Sequence, residues 1–229
     1  MPDHPRLVLF DIDGTLITSG GAGEKALIEA MKSRFGVEED FSGITLAGAT
    51  DASIAVRLLE KHGLKATADH VQALLEAYLG HLTHHMPLHS GRVLPGILAL
   101  LEALKVRSDA CVGLLTGNVE RGAEIKLRHY GVWEYFAFGA FADDHHDRNE
   151  LGKFAKERAF LVAGHDFPPE RIYVLGDTPR DIECGRAIRA KTVAIATGQY
   201  SLEELERHAP DFLFADLSDT RAVLSALFL

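Results

Sequence analysis

Hydrophobic and polar positions alternate along this chain in two recurring patterns. Short continuous apolar runs that stop at Gly, Asp or Asn read as parallel strands buried on both faces. Apolar positions recurring at three and four residues read as helices packed by one side. Leu7–Phe10 is the first such run, and it ends at Asp11, Asp13 and Gly14. Ala110–Leu115, Phe136–Phe141, Arg171–Leu175 and Thr192–Ala196 are further runs of this kind, and Phe212–Phe214 is a short edge strand. The roughly 70 residues after the first run carry only helical spacing, whereas a plain βαβ crossover takes about 30.

Helical spacing places Ala26, Leu27, Ala30, Met31 and Phe35 on one face, closed by Gly36. Asp51 stands as the N-cap of a helix bearing Ile54, Leu58 and Leu59, with Gly63 as its stop. Thr67 precedes a third helix with Val71, Leu74, Leu75, Tyr78 and Leu82. Gly20-Gly21 reads as a hinge. The α/β rhythm resumes at Pro95-Gly96, and Asn118 is expected to cap a helix that stops near Gly131. Asp147 and Glu150 have capping-box spacing before a helix running to about Gly164. Pro179 sits early in the next helix, Ser201 with Glu204 forms a capping box, and Ser218 opens the last helix. The expected fold is α/β, a doubly wound, Rossmann-like parallel sheet with a smaller all-helical insertion after the first strand. The insertion takes residues 17–88, and the core takes 1–16 with 89–229.

Composition narrows the function classes. A net charge of −9 on 229 residues argues against nucleic-acid binding and is compatible with carboxylates that hold a divalent cation. Cys111 and Cys184 have neither metal-ligand spacing nor a disulfide framework, so a reducing cytoplasm is the expected home. No apolar run reaches membrane-spanning length, and Met1–Arg6 lacks the basic start of a secretory signal, leaving no room for a targeting segment. Neither a membrane nor a nucleic-acid partner is expected, and oligomeric state is not legible.

Ligands of open α/β sheets bind beyond the carboxyl ends of strands. Three core strands end there in polar residues: Asp11 and Asp13, Thr116 and Asn118, Asp177 and Asp181. Each cluster alone is an ordinary turn or cap. Together they bring carboxylates, a hydroxyl and a helix N-terminus to one edge. Asp11, Asp13 and Asp177 could give oxygen ligands to a hard cation such as Mg2+, leaving room for a phosphate oxygen. Thr116 and main-chain amides at the helix start could hold other phosphate oxygens. A carboxylate close to phosphorus can attack it, and a cation is needed because carboxylate and phosphate repel each other.

At this point the chain resembles the haloacid dehalogenase superfamily, on its phosphoglycolate phosphatase-like branch. Asp11-Ile12-Asp13-Gly14-Thr15, Thr116-Gly117-Asn118 and Gly176-Asp177-Thr178-Pro179-Arg180-Asp181 match its first, second and fourth motifs in order. Gly48-Ala49-Thr50-Asp51 and Thr197-Gly198 are lesser matches. The resemblance implies a phosphatase acting on a small phosphorylated metabolite with Mg2+. It implies Asp11 as nucleophile and Asp13 as acid/base, with its main-chain carbonyl on the metal. Asp177 would be the acidic ligand and Asp181 would bond a metal-bound water. Thr116 would bind the phosphoryl group, and Gly14, Thr15, Gly117 and Asn118 would line the phosphate site. The first strand would lie between the second and the fourth, and the insertion would be a cap. The third motif departs from the family's Lys followed by Pro-x-Pro. Counting from Phe136 and back from Asp177 puts the expected cation at Arg148, with Lys153 as the alternative.

Asp13 argues against dehalogenation, because the halide-removing relatives lack an acid at that position and a leaving halide needs no proton. A phosphomutase of the β-phosphoglucomutase type and an aspartate phospho-acceptor signalling module remain alternatives. His81, His84, His85 and His89 read as a solvated surface rather than a zinc site. His145-His146 reads as a surface loop near the predicted site, and Trp133, Tyr135 and Phe136 as packing residues.

Overall fold

The structure is a computed structural model describing residues 5–228; Met1–His4, part of the stretch expected to hold no targeting segment, and Leu229 lie outside it. The first strand, β1 (Arg6–Phe10), is buried throughout. Its side chains alternate between two layers, which is why the run is continuously apolar. Val8 and Phe10 join a core with Ile97, Leu100, Leu127 and Leu227; Leu7 and Leu9 join another with Leu151, Ala155 and Ala159.

After β1 the chain forms β2 (Ile17–Thr18), then α1 (Ala22–Phe35), α2 (Asp51–Lys61) and α3 (Ala68–His85), and returns through β3 (Arg92–Val93). The outgoing and returning strands pair antiparallel, Ile17 with Val93 and Thr18 with Arg92. The three helices have a core of their own, built on Ala26, Met31, Leu58, Leu59, Leu74 and Leu82. Beyond them come α4 (Ile97–Lys105), β4 (Ala110–Leu115), α5 (Glu120–His129), β5 (Gly139–Ala140) and α6 (Arg148–Ala163). The chain closes with β6 (Ile172–Gly176), α7 (Pro179–Ala187), β7 (Lys191–Ile195), α8 (Leu202–Glu206), β8 (Phe212–Phe214) and α9 (Thr220–Phe228).

The main sheet has the order β5-β4-β1-β6-β7-β8 with all neighbours parallel. Phe10 is in register with Leu114 on one side and Leu175 on the other, so Asp11, Thr116 and Asp177 leave the same edge. That is the doubly wound fold expected, with β1 between β4 and β6. No helix among the described residues is long and apolar enough to cross a membrane.

Several local expectations are corrected. Thr50, not Asp51, caps α2, its hydroxyl accepting from Ser53 N at 3.2 Å. Phe136–Phe141 is not one strand: only Gly139–Ala140 pairs, while Phe136 and Trp133 pack into the core under β1. Asp147 caps α6 through Asn149 N, and Glu150 turns to Lys153 instead of closing a box. The last helix begins at Thr220, and Asp219 rather than Ser218 accepts from its first turn, at Ala222 N. Asn118 caps nothing, because its side chain is engaged elsewhere. The first N–H groups of the α5 turn go instead to two distant carboxylates, Val119 N to Asp51 and Glu120 N to Asp143.

Candidate active site

The carboxyl edge of the sheet carries two linked clusters. The first surrounds Asp11, whose own N–H is tied to Leu175 O at 2.9 Å, one residue past the end of β1. Arg148, the first residue of α6, sends Nη2 to Asp11 Oδ1 at 2.7 Å and to Asp181 Oδ1 at 2.5 Å. Asp11, Asp177 and Asp181 are buried, and each offers an oxygen within 4.8 Å of the others. Among the described residues no other group of three metal-ligating side chains converges so closely.

Glycine makes this crowding possible. Gly14 has φ +83°, and a Cβ on Gly14 or Gly198 would collide with the Asp177 carboxylate. Thr15 donates to Asp177 Oδ1 at 3.2 Å. Asp181 lies in the first turn of α7, where its Oδ2 accepts from Thr178 N and Oγ1 at 3.0 and 2.7 Å.

One guanidinium cannot balance three buried carboxylates. Burial pushes Asp177 up to about 9, reinforced by Asp181 and Asp11. Burial and Asp181 also push Asp11 up to about 6, against the pull of Arg148. Arg148 is itself raised: Asp181 and Asp11 outweigh the burial that opposes its charge. A bound dication would bring Arg148 and the three ionised carboxylates to neutrality. The all-oxygen, acidic donor set suits a hard ion. The residues present therefore fit Mg2+.

The second cluster surrounds Asp13. Its Oδ2 accepts from Lys126 Nζ at 2.6 Å and from Asn118 Nδ2 at 2.9 Å. Lys126 also donates to Asn118 Oδ1 at 2.6 Å, and Asn118 Nδ2 reaches Thr116 Oγ1 at 2.9 Å. Lys126 is buried, yet its pKa is raised, because Asp13, Tyr78 and Asp51 outweigh the desolvation that opposes its charge. Tyr78 belongs to α3 and Asp51 to α2, so this network joins the helical insertion to the sheet. Two main-chain and side-chain bonds reinforce the joint: Asp51 N to Gly117 O at 2.7 Å, and Thr50 Oγ1 to His146 O at 2.6 Å.

A cavity of about 690 Å³ opens between the sheet edge and the insertion. Asp11, Asp13, Gly14, Gly117, Asn118, Arg148 and Asp177 line it; Thr15, Thr116 and Asp181 lie behind this lining. Lys153 is far more exposed than Arg148 and pairs with Glu150. His145 and His146 stack on each other outside the cavity lining, and His81 and His85 share Glu29 at 3.4 and 2.8 Å. Lys126 is the residue that sequence reasoning missed. Its signal is its phase, a lysine between Ala123 and Leu127 on the buried stripe of α5.

The family model for haloacid dehalogenase-like hydrolases matches residues 8–186. The chain belongs to that family. It is thus a hydrolase, and the matched range takes in the three strand ends described above. Among similar proteins, an N-acetylmuramic acid 6-phosphate phosphatase of Pseudomonas aeruginosa is 29% identical over 89% of this chain and 87% of its own. A phosphoglycolate phosphatase of Synechococcus elongatus is 25% identical over 97% of this chain and 98% of its own. The solved structure of CbbY from Rhodobacter sphaeroides in complex with phosphate superposes with a TM-score of 0.75 at 18% identity. It covers 94% of this chain and 96% of its own, a likeness of fold.

Proposed function

We propose that this hydrolase is a Mg2+-dependent phosphatase that cleaves a small phosphorylated metabolite in two steps through phospho-Asp11. The observation that carries the reading is the bridge of Arg148 from Asp11 to Asp181 with Asp177 alongside. It supports the reading because a carboxylate, a fixed guanidinium and an excess of buried acidic groups meet at one point.

Asp11 attacks phosphorus while Arg148 neutralises the incoming phosphoryl oxygens and keeps Asp11 in place. Arg148 Nε is buried with no hydrogen-bond partner among the described residues. Asp13 protonates the leaving oxygen, and its deprotonated form then takes a proton from the water that hydrolyses the acyl phosphate. Lys126 and Asn118 both grip Oδ2, which holds the carboxylate in one orientation for these transfers. Asp11, Asp177 and Asp181, with the Asp13 carbonyl, would hold Mg2+, which supplies the positive charge that lets carboxylate and phosphate approach. Gly14, Gly117 and Asn118 line the phosphate end, and Thr116 supports Asn118. We assign residues 17–88 to a cap that closes over the core formed by 1–16 and 89–229. The two free cysteines suit a reducing cytoplasm. The phospho-acceptor module alternative does not accord with membership of a hydrolase family.

The test is phosphate release from p-nitrophenyl phosphate with and without Mg2+, together with mass analysis of acid-quenched enzyme. Turnover that needs the dication and a base-labile adduct on Asp11 are expected. Full turnover after chelation would remove the metal from the mechanism. Interconversion of sugar phosphates without phosphate release would favour the phosphomutase alternative.

A further inference from the structure

We propose that the preferred substrate is a phosphate monoester whose leaving group carries no anionic charge: a neutral or amine-bearing alcohol with an apolar face. The proposal rests on the phosphatase reading and concerns the part of the cavity that reading leaves undefined. With about 690 Å³ available, the cavity has room for more than a phosphate.

Its two walls differ in chemistry. The sheet edge supplies Asp11, Asp13, Asp177, Arg148 and the main chain near Gly117. The insertion faces it with Leu27, Phe41, Ile44, Leu46, Ile54 and Tyr78. The charged groups on the insertion side are Glu24, Asp40 and Asp51, all carboxylates. Asp51 is tied to Val119 N, and Asp40 to Lys61, which itself stands outside the cavity lining.

Among the described lining residues, positive charge comes from Arg148 and Lys126 alone. Arg148 is committed to Asp11 and Asp181 at the phosphate end. Lys126 donates to Asp13 Oδ2 and Asn118 Oδ1, each at 2.6 Å, so its charge is already paired with the Asp13 carboxylate. Arg57 of α2 and Arg180 of α7 do not line the cavity. A carboxylate or second phosphate on the leaving group would therefore lose water against apolar side chains and carboxylates without gaining a counter-charge. Unpaired charge is an established means of rejecting a competitor. A neutral alcohol suffers no such loss, and an ammonium group gains from Glu24.

The experiment uses the full chain with Mg2+ and three substrate pairs matched in size: glucose 6-phosphate with 6-phosphogluconate, glycerol 3-phosphate with 3-phosphoglycerate, and O-phosphoethanolamine with 2-phosphoglycolate. Preference is read as kcat/KM or, where turnover is too slow, as Ki against p-nitrophenyl phosphate hydrolysis. The non-carboxylate member should win by about tenfold or more as the mean over the three pairs, about 1.4 kcal/mol. A smaller or reversed mean preference overturns the proposal, while turnover of p-nitrophenyl phosphate leaves the phosphatase reading standing. Absence of turnover of every compound, p-nitrophenyl phosphate included, sinks both. Ile44→Arg, which adds a cation to the half-exposed apolar wall, should shift the ratio at least threefold towards the carboxylates. An unchanged ratio in that variant would show that the wall does not select, and would count against the proposal.

Discussion

Arg148 and Lys126 are the two buried cations of the cavity, and they belong to different clusters at the sheet edge, one on Asp11 and the other on Asp13. Arg148 sits among three carboxylates that outnumber it, with Asp177 pushed up to about 9. Lys126 sits against a single carboxylate that matches its charge, with Asp13 and Asn118 each 2.6 Å away. The first cluster is short of positive charge and suited to binding more. The second is balanced in charge and suited to holding a side chain still. Charge deficit marks where a ligand belongs, and a matched, hydrogen-bonded ion pair marks where geometry is being maintained.

The contrast is broken most severely at the nucleophile. Asp11→Asn should lower kcat by more than about 10⁴-fold. Its thermal midpoint should not fall, because the change removes one of three crowded charges; retained turnover would displace Asp11 from the mechanism. Next in size is Arg148→Ala, expected to reduce kcat by about 10²–10³-fold. Leaving the carboxylates unpaired should also destabilise the fold by about 3–5 kcal/mol. Arg148→Lys serves as the folded comparison for that measurement. Lys153→Ala should stay within about twofold of the parent, since an exposed pair with Glu150 contributes little. The reverse ranking would transfer the third-motif role to Lys153.

Lys126→Met sharpens the comparison by separating position from charge supply. If Lys126 acts by holding Asp13, the variant should lose about tenfold more kcat on an alkyl phosphate than on p-nitrophenyl phosphate, whose leaving group needs little protonation. Equal losses on both would make Lys126 a merely structural residue.

The smallest expected effect is on stability. In the metal-free protein Asp177 keeps a proton up to about pH 9, whereas its ordinary value is 3.8. Across that window the folded state binds a proton that the unfolded state does not, so stability falls as pH rises. Mg2+ bound to the ionised cluster would offset this loss. The midpoint gain on adding Mg2+ should therefore be larger at pH 8.5 than at pH 6, on the order of several degrees. Asp177→Asn should raise the metal-free midpoint at pH 8.5 and abolish most of that gain. A pH-independent gain would show that the cluster is not where the ion binds.

Much of this was legible from particular residues. The apolar run of β1 had to be buried on both faces, and Asp11, Thr116 and Asp177 had to emerge together once parallel neighbours were assumed. Arg148 was reachable by counting forward from Phe136 and back from Asp177. Asn118 misled because an Asn before a helix is ordinarily a cap; nothing local reveals that Asp13 and Lys126 claim its amide. Phe136–Phe141 misled because apolar residues packing under a sheet and residues within it share one composition.

What the sequence by itself determined is therefore the order of strands and helices, the family, and the residues at each strand end, since these follow from local periodicity and short motifs. What only the tertiary structure decided is which side chains pair: Lys126 with Asp13, Arg148 with Asp11 and Asp181, and Asp51 with the start of α5. Those pairings join residues far apart in the chain, and a buried charge takes whatever partner the packed interior brings within reach.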